Sequence, residues 1–575
     1  MSGFTGLIMF KDDTYRKVNK VHFPKVTNGF YPRLESICDD FHCFYYYGIK
    51  RLYRESVLHP NPYTIIGLEG VYLNIHKEEL RKNLEEQTGK SETSSVFFNI
   101  LKKAHGSFSG FWFTRDSKEL HIFTDQTASR QIFYYSNQDF FAFSSSIFLL
   151  SDMLQQLNVN VNLSEQSAYM LLSLGYFLED HTLVNEIKKI GAGKYLVVNK
   201  NGIKIEQYHS FYRRVEFSKI NKELLEELAT RFKTSVLTEY EYDKSHELNH
   251  IANLSGGLDT RMNVMYAWKN GYKNITAFTF SEGMQSDEVV ARQISDDIKI
   301  PHVIILLNNG LFLFDLDSPL LLNNCAVYYF GSAHTFFAVQ KLNFNGLGLM
   351  HNGLLAESSK GNYITESNHR APQLCARYSV SGKYLDRLDS LFKNEIVGLY
   401  PDEEMFVHYS RGFNAIHNGS WMTRPFTESV YTFMEPDFTD LAYSISPNLR
   451  YNSFLTVEWL KALHPEMAKY NWAPFGIPPT NSHVKNFAQR VRRKTSQILT
   501  SDYKGPNPLH HYYKSNEELR NFINDYYNSS NAWPIIPREL KKDLDFLFKT
   551  GIVPEKLLCI SLLKSIDLLF VNNPV

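Results

Sequence analysis

Residues 1–210 carry short runs of aromatic and β-branched residues that are typical of strands. Glycines and turns containing Asn or Asp separate these runs, of which the clearest are 108–113, 120–124, 131–135 and 140–144. Residues 194–205 resemble a hairpin with Asn201 and Gly202 in the turn. Helical segments intervene, for example at 77–86 and 94–104. The pattern predicts a unit that is mostly β with a few helices.

The hydrophobic pattern changes near residue 215. A long amphipathic helix is predicted over 221–240. Strands and helices then alternate. The strands are predicted at 251–252, 275–280 and 303–307, and the helices at 262–270 and 287–298. Strand–helix–strand alternation at this spacing predicts a parallel, right-handed βαβ sheet. Beyond residue 310 the pattern becomes mostly helical. The change of pattern places one domain at 1–210 and a second at 215–575.

Composition narrows the class of protein. The chain has 575 residues, is 43% hydrophobic, and carries 61 basic and 61 acidic residues. A neutral chain has no global electrostatic reason to bind nucleic acid or an anionic membrane. The apolar start lacks a basic leader, and no run approaches the length of a membrane span, so a cytoplasmic location is expected. Five scattered cysteines are too few for a disulfide scaffold or a zinc site.

One turn carries candidate chemistry, the segment Leu254-Ser255-Gly256-Gly257-Leu258-Asp259-Thr260-Arg261. A strand, a glycine turn and a helix start aim backbone N–H groups at one point and form an anion site. Asp259 adds an oxygen ligand for Mg²⁺, so the sequence predicts nucleotide binding. No Gly-Lys-Ser/Thr follows, which excludes a Walker loop. An ordinary strand-to-helix turn is the alternative. Arg261 could add a further cation or be a solvated helix-start residue.

The turn resembles the pyrophosphate loop of ATP-pyrophosphatases, and the chain is similar to the asparagine synthetase family within that group. The further likeness lies in the segments 182–197, 277–292 and 300–302. The resemblance implies an α/β fold of two domains. The first would be a glutaminase-like αββα sandwich of the N-terminal-nucleophile hydrolase type, as in class II glutamine amidotransferases. The second would be a parallel-sheet ATP-pyrophosphatase domain with added helices.

The resemblance also implies a reaction and its residues. A substrate carboxylate attacks the α-phosphate of ATP, pyrophosphate leaves, and ammonia or an amine displaces AMP from the acyl-adenylate. Residues Leu254 to Arg261 would bind ATP and pyrophosphate, with Ser255, Asp259 and Glu357 in catalytic roles. Asp259 and Glu357 would hold Mg²⁺, although Glu357 stands where the family has Asp and could instead be a surface loop residue.

The N-terminal domain resembles a glutaminase whose pocket is degenerate. Ser2 stands where the family has a nucleophilic Cys, and a serine hydroxyl is far harder to deprotonate. Glu69, followed by Gly70, replaces an Asn that stabilises the oxyanion, and a carboxylate would repel it. Glu92 falls in a segment that departs from the family's Ser-Asp-x-Glu. Because the strands of the sandwich are kept, we predict a glutaminase fold without activity.

The best prediction is an ATP-binding, magnesium-dependent carbon–nitrogen ligase that acts on a small-molecule or peptide carboxylate. Leu354 stands where asparagine synthetases carry a Glu that assists amine attack, which puts aspartate in doubt. A glutamine-hydrolysing asparagine synthase in asparagine biosynthesis, a sugar-acid amidotransferase of surface polysaccharide synthesis, and a lasso-peptide or β-lactam type cyclase stay open. A nucleotide-binding pseudoenzyme also stays open. The sequence also leaves open whether another protein supplies ammonia and whether the protein is a homodimer. A phosphate contact from the basic cluster at 485–494 stays open as well.

Overall fold

The computed structural model describes residues 3–10, 34–38, 42–47, 57–87, 93–364, 370–375, 377–479 and 508–574. Within these ranges every helix is too short or too polar to cross a bilayer.

The N-terminal part contains two antiparallel sheets. The first comprises β1 (Gly3–Met9), β2 (Leu34–Cys38), β3 (His42–Tyr47), β8 (Phe133–Ser136), β9 (Phe140–Ser144) and β10 (Lys188–Lys189), in the order β10-β8-β9-β1-β3-β2. The second comprises β4 (Leu58–Pro60), β5 (Thr64–Tyr72), β6 (Gly106–Thr114), β7 (Glu119–Thr124), β11 (Lys194–Asn199) and β12 (Gly202–Gln207), in the order β12-β11-β7-β6-β5-β4. The hairpin expected over 194–205 is β11 and β12, which pair antiparallel.

Side chains from both sheets fill the space between them. Phe111 of β6 packs edge-on against Phe4 of β1 at 5.2 Å between ring centroids and stacks on Phe44 of β3 at 4.8 Å. Helices cover the outer faces: α1 (Lys77–Gln87) and α2 (Thr93–Lys103) pack on the second sheet, and α3 (Ile147–Gln156) and α4 (Glu165–Ser173) pack on the first. The layers therefore run helix, sheet, sheet, helix.

The N-terminal part contains one disulfide that the number and spacing of the cysteines did not predict. Cys38 and Cys43 face each other across the β2–β3 pair and form a disulfide, while Cys325, Cys375 and Cys559 are free. A single bridge in a hairpin is not a disulfide scaffold. Its formation depends on strand register, which the spacing of cysteines does not encode.

The C-terminal part is built on a parallel sheet. Its strands are β13 (Asn249–Asn253), β14 (Ile275–Ser281), β15 (His302–Leu306), β16 (Leu347–Asn352) and β17 (Ser429–Tyr431), in the order β15-β14-β13-β16-β17. All four pairings are parallel. The mixed α/β class and the C-terminal parallel sheet expected from the sequence are confirmed. The described residues beyond 310 are mostly helical, as expected, and the sequence did not predict the strands β16 and β17, which extend the sheet there.

Helices cover both faces of this sheet. One face packs against α5 (Lys222–Ser245), α6 (Leu258–Lys269) and α7 (Ser286–Ile298). The opposite face carries Ile251, Phe278 and Met350, which pack against residues 338–339 and 344. The other helices are α8 (Asp317–Leu322), α9 (Ala333–Val339), α10 (Glu357–Lys360), α11 (Asp389–Leu391), α12 (Glu403–Val407), α13 (Asn418–Trp421), α14 (Pro436–Ser444), α15 (Pro447–Arg450), α16 (Phe454–Leu463), α17 (Pro465–Ala468), α18 (Leu509–Ser515), α19 (Glu517–Ser529), α20 (Arg538–Thr550) and α21 (Val553–Ile566).

The strand order creates a crevice. The chain leaves β13 toward β14 on one side, whereas it leaves β16 toward β17 on the other. Loops that diverge in this way open a cleft at the carboxyl ends of the two central strands, which is where open α/β sheets bind ligands. The Ser255 turn follows β13, and Gly353 begins the loop that follows β16.

Candidate nucleotide-binding site

The turn after β13 is closed by its own hydroxyl groups. Ser255 N donates to Thr260 Oγ1 at 3.0 Å, the two hydroxyls lie 3.0 Å apart, and Gly257 N donates to Ser255 Oγ at 3.1 Å. Gly257 is the N-cap of α6 and offers no capping side chain. The first-turn amides of a helix have no intrahelical acceptor, so they remain available to an anion in the cleft.

The glycine at position 256 is required by a close approach. A Cβ there would lie 2.4 Å from the Ala473 Cβ, and the Gly256 amide donates to Asp287 Oδ1 at 3.1 Å. Leu254 and Leu258 are buried in the core on either side. These two leucines therefore fix the turn, and only its backbone and polar side chains face the cleft.

Arg261 holds the turn from beneath. Its side chain is fully buried and its five N–H donors reach five carbonyl oxygens, those of Gly256, Gly257, Met467, Tyr470 and Asn471, at 2.6–3.2 Å. Burial lowers the pKa of this guanidinium to about 10. The description of Arg261 as a solvated helix-start residue was wrong. A guanidinium has no further donor for a phosphate, so its part in the site is to tie the turn to residues 467–471.

The loop after β16 brings Glu357 to the turn. A Cβ on Gly353 would stand 2.6 Å from the Thr260 amide nitrogen, so only glycine lets the loop pass this close to α6. Lys360 of α10 then donates from Nζ to Asp259 Oδ2 at 2.6 Å. Asp259, Glu357 and Lys360 form one charged cluster at the carboxyl ends of β13 and β16, hereafter the Asp259 cluster.

The charges of the Asp259 cluster act on one another. Burial raises the pKa of Glu357, and Lys360 offsets only part of that rise. Burial works to lower the pKa of Lys360, but Asp259 and Glu357 hold it above its usual value. Among the described residues, Asp259 Oδ1 and Glu357 Oε2 are buried acceptors without a hydrogen-bond donor. Two buried carboxylate oxygens left unpaired beside an anion site fit a hard divalent cation.

Sequence reasoning missed Lys360, although a signal was present. Lys360 follows Glu357 by three residues, and on a helical turn that spacing places both side chains on one side. Asp287 lay in a segment with family likeness but was given no role, and here it binds the Gly256 amide.

The structure gives Glu69 a different environment from the one the sequence suggested. Its carboxylate is buried and pairs with Arg130 Nη1 at 2.6 Å, and Arg130 also pairs through Nη2 with Glu428. Glu69 is therefore not a bare carboxylate that faces an oxyanion. Gly70 has a φ of +95°, and a Cβ there would lie 2.2 Å from the Ser107 carbonyl oxygen. This glycine lets β5 pass Ser107 and Arg130.

Three features named from the sequence lie outside the described residues. They are Ser2, Glu92 and the basic cluster at 485–494.

Comparisons bear on the N-terminal part. The family described as a glutamine amidotransferase domain matches residues 70–209. Glutamine phosphoribosylpyrophosphate amidotransferase from B. subtilis, complexed with ADP and GMP, is similar at 10% identity and a TM-score of 0.22; the match covers 52% of this chain and 65%, under two thirds, of that chain. A structure of the allosteric regulatory enzyme of purine biosynthesis matches at the same identity and TM-score, over 52% of this chain and 80% of its own. No curated protein sequence matches the chain.

The two structural matches are too weak to carry an argument about activity. The family match defines the class of the N-terminal part, which is similar to glutamine amidotransferase domains. It does not extend to the parallel sheet or to the Asp259 cluster.

Proposed function

We propose that the protein is an ATP-dependent carbon–nitrogen ligase that forms AMP and pyrophosphate, as in the asparagine synthetase family. The observation that carries this proposal is the pair of unpaired carboxylate oxygens, Asp259 Oδ1 and Glu357 Oε2, beside the uncapped start of α6. Amide donors favour the pyrophosphate of a nucleotide, and carboxylate oxygens favour its metal.

Each polar part of the site has a role in this proposal. The Ser255 hydroxyl, the Thr260 hydroxyl and the first amides of α6 would bind the β- and γ-phosphates. Asp259 and Glu357 would hold Mg²⁺, which supplies positive charge against the charge that develops on the leaving pyrophosphate. Lys360 Nζ lies 2.6 Å from Asp259 Oδ2. When Mg²⁺ binds that carboxylate, Lys360 would be free to contact a phosphate oxygen.

The chemistry has two steps. A carboxylate oxygen of the substrate attacks the α-phosphorus of ATP, the bond from that phosphorus to the bridging oxygen breaks, and pyrophosphate departs. The nitrogen of ammonia or an amine then attacks the acyl carbon, the bond from that carbon to the AMP oxygen breaks, and the nitrogen loses a proton to water. Leu354 cannot accept that proton, so the site works on a nitrogen that arrives as the free amine.

The proposed nitrogen donor is ammonia, another protein's glutaminase or an amine of the substrate. Residues 70–209 match a glutamine amidotransferase family, yet Glu69 is bound to Arg130 and offers no donor to an oxyanion. We expect no glutamate release when the pure protein is given glutamine with or without ATP. Release above the uncatalysed background would restore a glutamine-dependent reaction.

The test of the ligase is ATP–pyrophosphate exchange over a panel of carboxylates. We expect at least one acid to promote exchange in the native protein and exchange to fall at least about a hundredfold in Asp259→Asn. Asp296→Asn is the matched control, because Asp296 is exposed on α7 and outside the cluster. Exchange that persists in Asp259→Asn would remove Asp259 from the reaction. Sugar-acid amidotransferases and cyclases share this first step and differ in the acid they activate.

A further inference from the structure

A cavity of about 370 Å³ lies against the face of the parallel sheet opposite α5 and α6. Asn253 and Asn352, the last residues of β13 and β16, line it together with Leu354, so it reaches the same sheet edge as the Asp259 cluster. Its far wall includes Leu174 and Tyr176, which follow α4 of the N-terminal part. A volume of several hundred cubic ångströms suits a small organic ligand.

The walls of this cavity are mainly aromatic and apolar. Phe278, Phe280, Tyr328 and Tyr378 contribute rings, and Arg411 is the one charged side chain among its described lining residues. His334 also lines it, and burial lowers the pKa of that histidine to about 4, so it is neutral near pH 7. The cavity therefore offers one positive charge and no negative charge.

Arg411 belongs to a π-helical segment, His408–Ile416. No described residue forms an ion pair or a hydrogen bond with its guanidinium. Its charge nevertheless acts to lower the pKa of Glu357, which places the guanidinium in electrostatic reach of the Asp259 cluster. A guanidinium in an aromatic cavity is stabilised when an anion pairs with it, and a carboxylate matches its geometry.

Among the other described polar groups of the lining, His334 Nδ1 and Asn418 Nδ2 are buried atoms without a hydrogen-bond partner. Asn253 Nδ2 donates to the Asn352 side-chain oxygen, so the two amides at the cavity floor bind each other. The two unpartnered atoms of His334 and Asn418 can serve a few polar groups of a ligand, but a second carboxylate would find no second cation in the described lining.

We propose that this cavity binds the acid that the enzyme activates, and that the acid is a monocarboxylate with an aromatic or apolar body held by Arg411. The inference rests on the proposed ligase function and names its substrate class. Aspartate fits poorly, because its second carboxylate and its ammonium would find no further charged group in the described lining, and a sugar acid would set several hydroxyls against aromatic rings.

Binding of simple probes to the full chain, without nucleotide, tests this proposal. Isothermal titration calorimetry would compare 3-phenylpropanoate, the uncharged 3-phenylpropanamide and aspartate. We expect the aryl acid to bind, and the amide and aspartate to bind at least about tenfold more weakly.

Two variants separate charge from shape. Arg411→Gln is expected to weaken the aryl acid about tenfold to a hundredfold and to leave the amide unchanged. Gly419→Leu should exclude both aryl probes, because Gly419 lines the cavity and a Cβ there meets nothing within 4 Å. Arg231→Gln removes the same charge from the exposed face of α5 and should bind as the native protein does.

The proposal fails if aspartate binds more tightly than the aryl acid, or if Arg411→Gln binds the acid as well as the native protein does. The ligase function is judged separately by exchange. If the aryl acid binds through Arg411 and no acid of the panel promotes exchange, the cavity is an aryl-acid site and the ligase function is contradicted. Exchange with aspartate alone supports the ligase and overturns this inference.

Discussion

At the scale of single residues, some side chains of the turn face the cleft, and a neighbouring one supports the turn from the protein interior. Ser255, Asp259 and Thr260 face the cleft, whereas Arg261 next to them is fully buried under the turn. A sequence shows that a basic residue starts the helix but not which way its side chain runs. The direction of the Arg261 side chain is set by five carbonyl oxygens, of which two belong to the turn and three to residues 467–471. These groups come together only in the folded chain.

Replacing Arg261 by Lys should destabilise the protein. Lys has three donors on a flexible stem, so at least two of the five buried carbonyls would lose their partner. We expect a loss of at least about 3 kcal/mol in the free energy of unfolding, measured in urea. Arg231→Lys on the exposed face of α5 is the matched control. Equal unfolding midpoints for the two variants would contradict the supporting role.

Mg²⁺ should stabilise the protein in a pH-dependent way. Without metal, the buried Glu357 favours the folded state below its usual pKa, and that contribution is lost as the pH rises through its raised pKa. A cation binds the ionised form, so the rise in melting temperature with Mg²⁺ should grow between about pH 5 and about pH 8.

Glu357→Gln should remove that growth. Glu435→Gln is the control, since Glu435 is another carboxyl whose pKa burial raises, to about 7, and it caps α14 outside the cluster. A Mg²⁺ shift that is the same at both pH values, or unchanged in Glu357→Gln, would argue against a metal on this carboxylate.

At the scale of elements, the helix α5 and the strand β16 are joined by a buried ionic network. His351 on β16 lies 2.8 Å from Asp243 and 3.3 Å from Glu239, both on α5, and it stacks on Tyr240. His250 on β13 reaches Asp243 at 3.0 Å. Burial acts to lower the pKa of His351, but Asp243 and Glu239 outweigh it and raise that pKa to about 9.

This network should make stability fall at alkaline pH. A histidine whose pKa is raised on folding stabilises fully below about 6.5, and the contribution is lost as the pH rises through about 9. His351→Gln should lower the free energy of unfolding near pH 7 by about 3–5 kcal/mol and flatten the alkaline fall. His246→Gln, on an exposed histidine near the end of α5, is the control. An alkaline fall that is unchanged in His351→Gln would contradict this assignment.

Sequence patterns predicted some elements and missed others for identifiable reasons. The strands β13 to β15 and their helices followed from alternation of apolar runs with helical segments. The strand β17 has three residues, too few for a period, and β16 contains Gly348 and the buried His351, which break an apolar run. Without β16, the cleft between its loop and the turn after β13 was not predictable as geometry. Glu357 was reached only through likeness to a family motif.

At the scale of the whole molecule, the N-terminal and C-terminal parts share a buried ionic contact. Arg130 pairs with Glu69 of its own part and with Glu428, which directly precedes β17 of the parallel sheet. Trp421 Nε1 also donates to the Ser129 carbonyl across this boundary at 2.7 Å. No local pattern could predict a pairing between segments so distant in sequence. This contact gives Glu69 a structural role at the boundary between the two parts.

Removing the Arg130 side chain should therefore destabilise the folded protein. Arg130→Met leaves Glu69 and Glu428 buried without their cation, at an expected cost of about 3–5 kcal/mol in the free energy of unfolding. Adding Glu69→Gln and Glu428→Gln to the same protein should recover much of that loss, because the buried charges are then gone. A triple variant no more stable than Arg130→Met would mean that charge does not hold this boundary.

The turn from Ser255 to Thr260, with Asp259 and Glu357, is proposed as a Mg²⁺-dependent nucleotide site. Calorimetric titration of ATP into the full chain, with Mg²⁺ and with a chelator, tests it without knowledge of the acid. We predict binding that requires Mg²⁺ and that weakens at least about tenfold in Asp259→Asn, with Asp296→Asn as control. Binding of Mg²⁺-ATP that is equal in the native protein and in Asp259→Asn would contradict a nucleotide site at this turn.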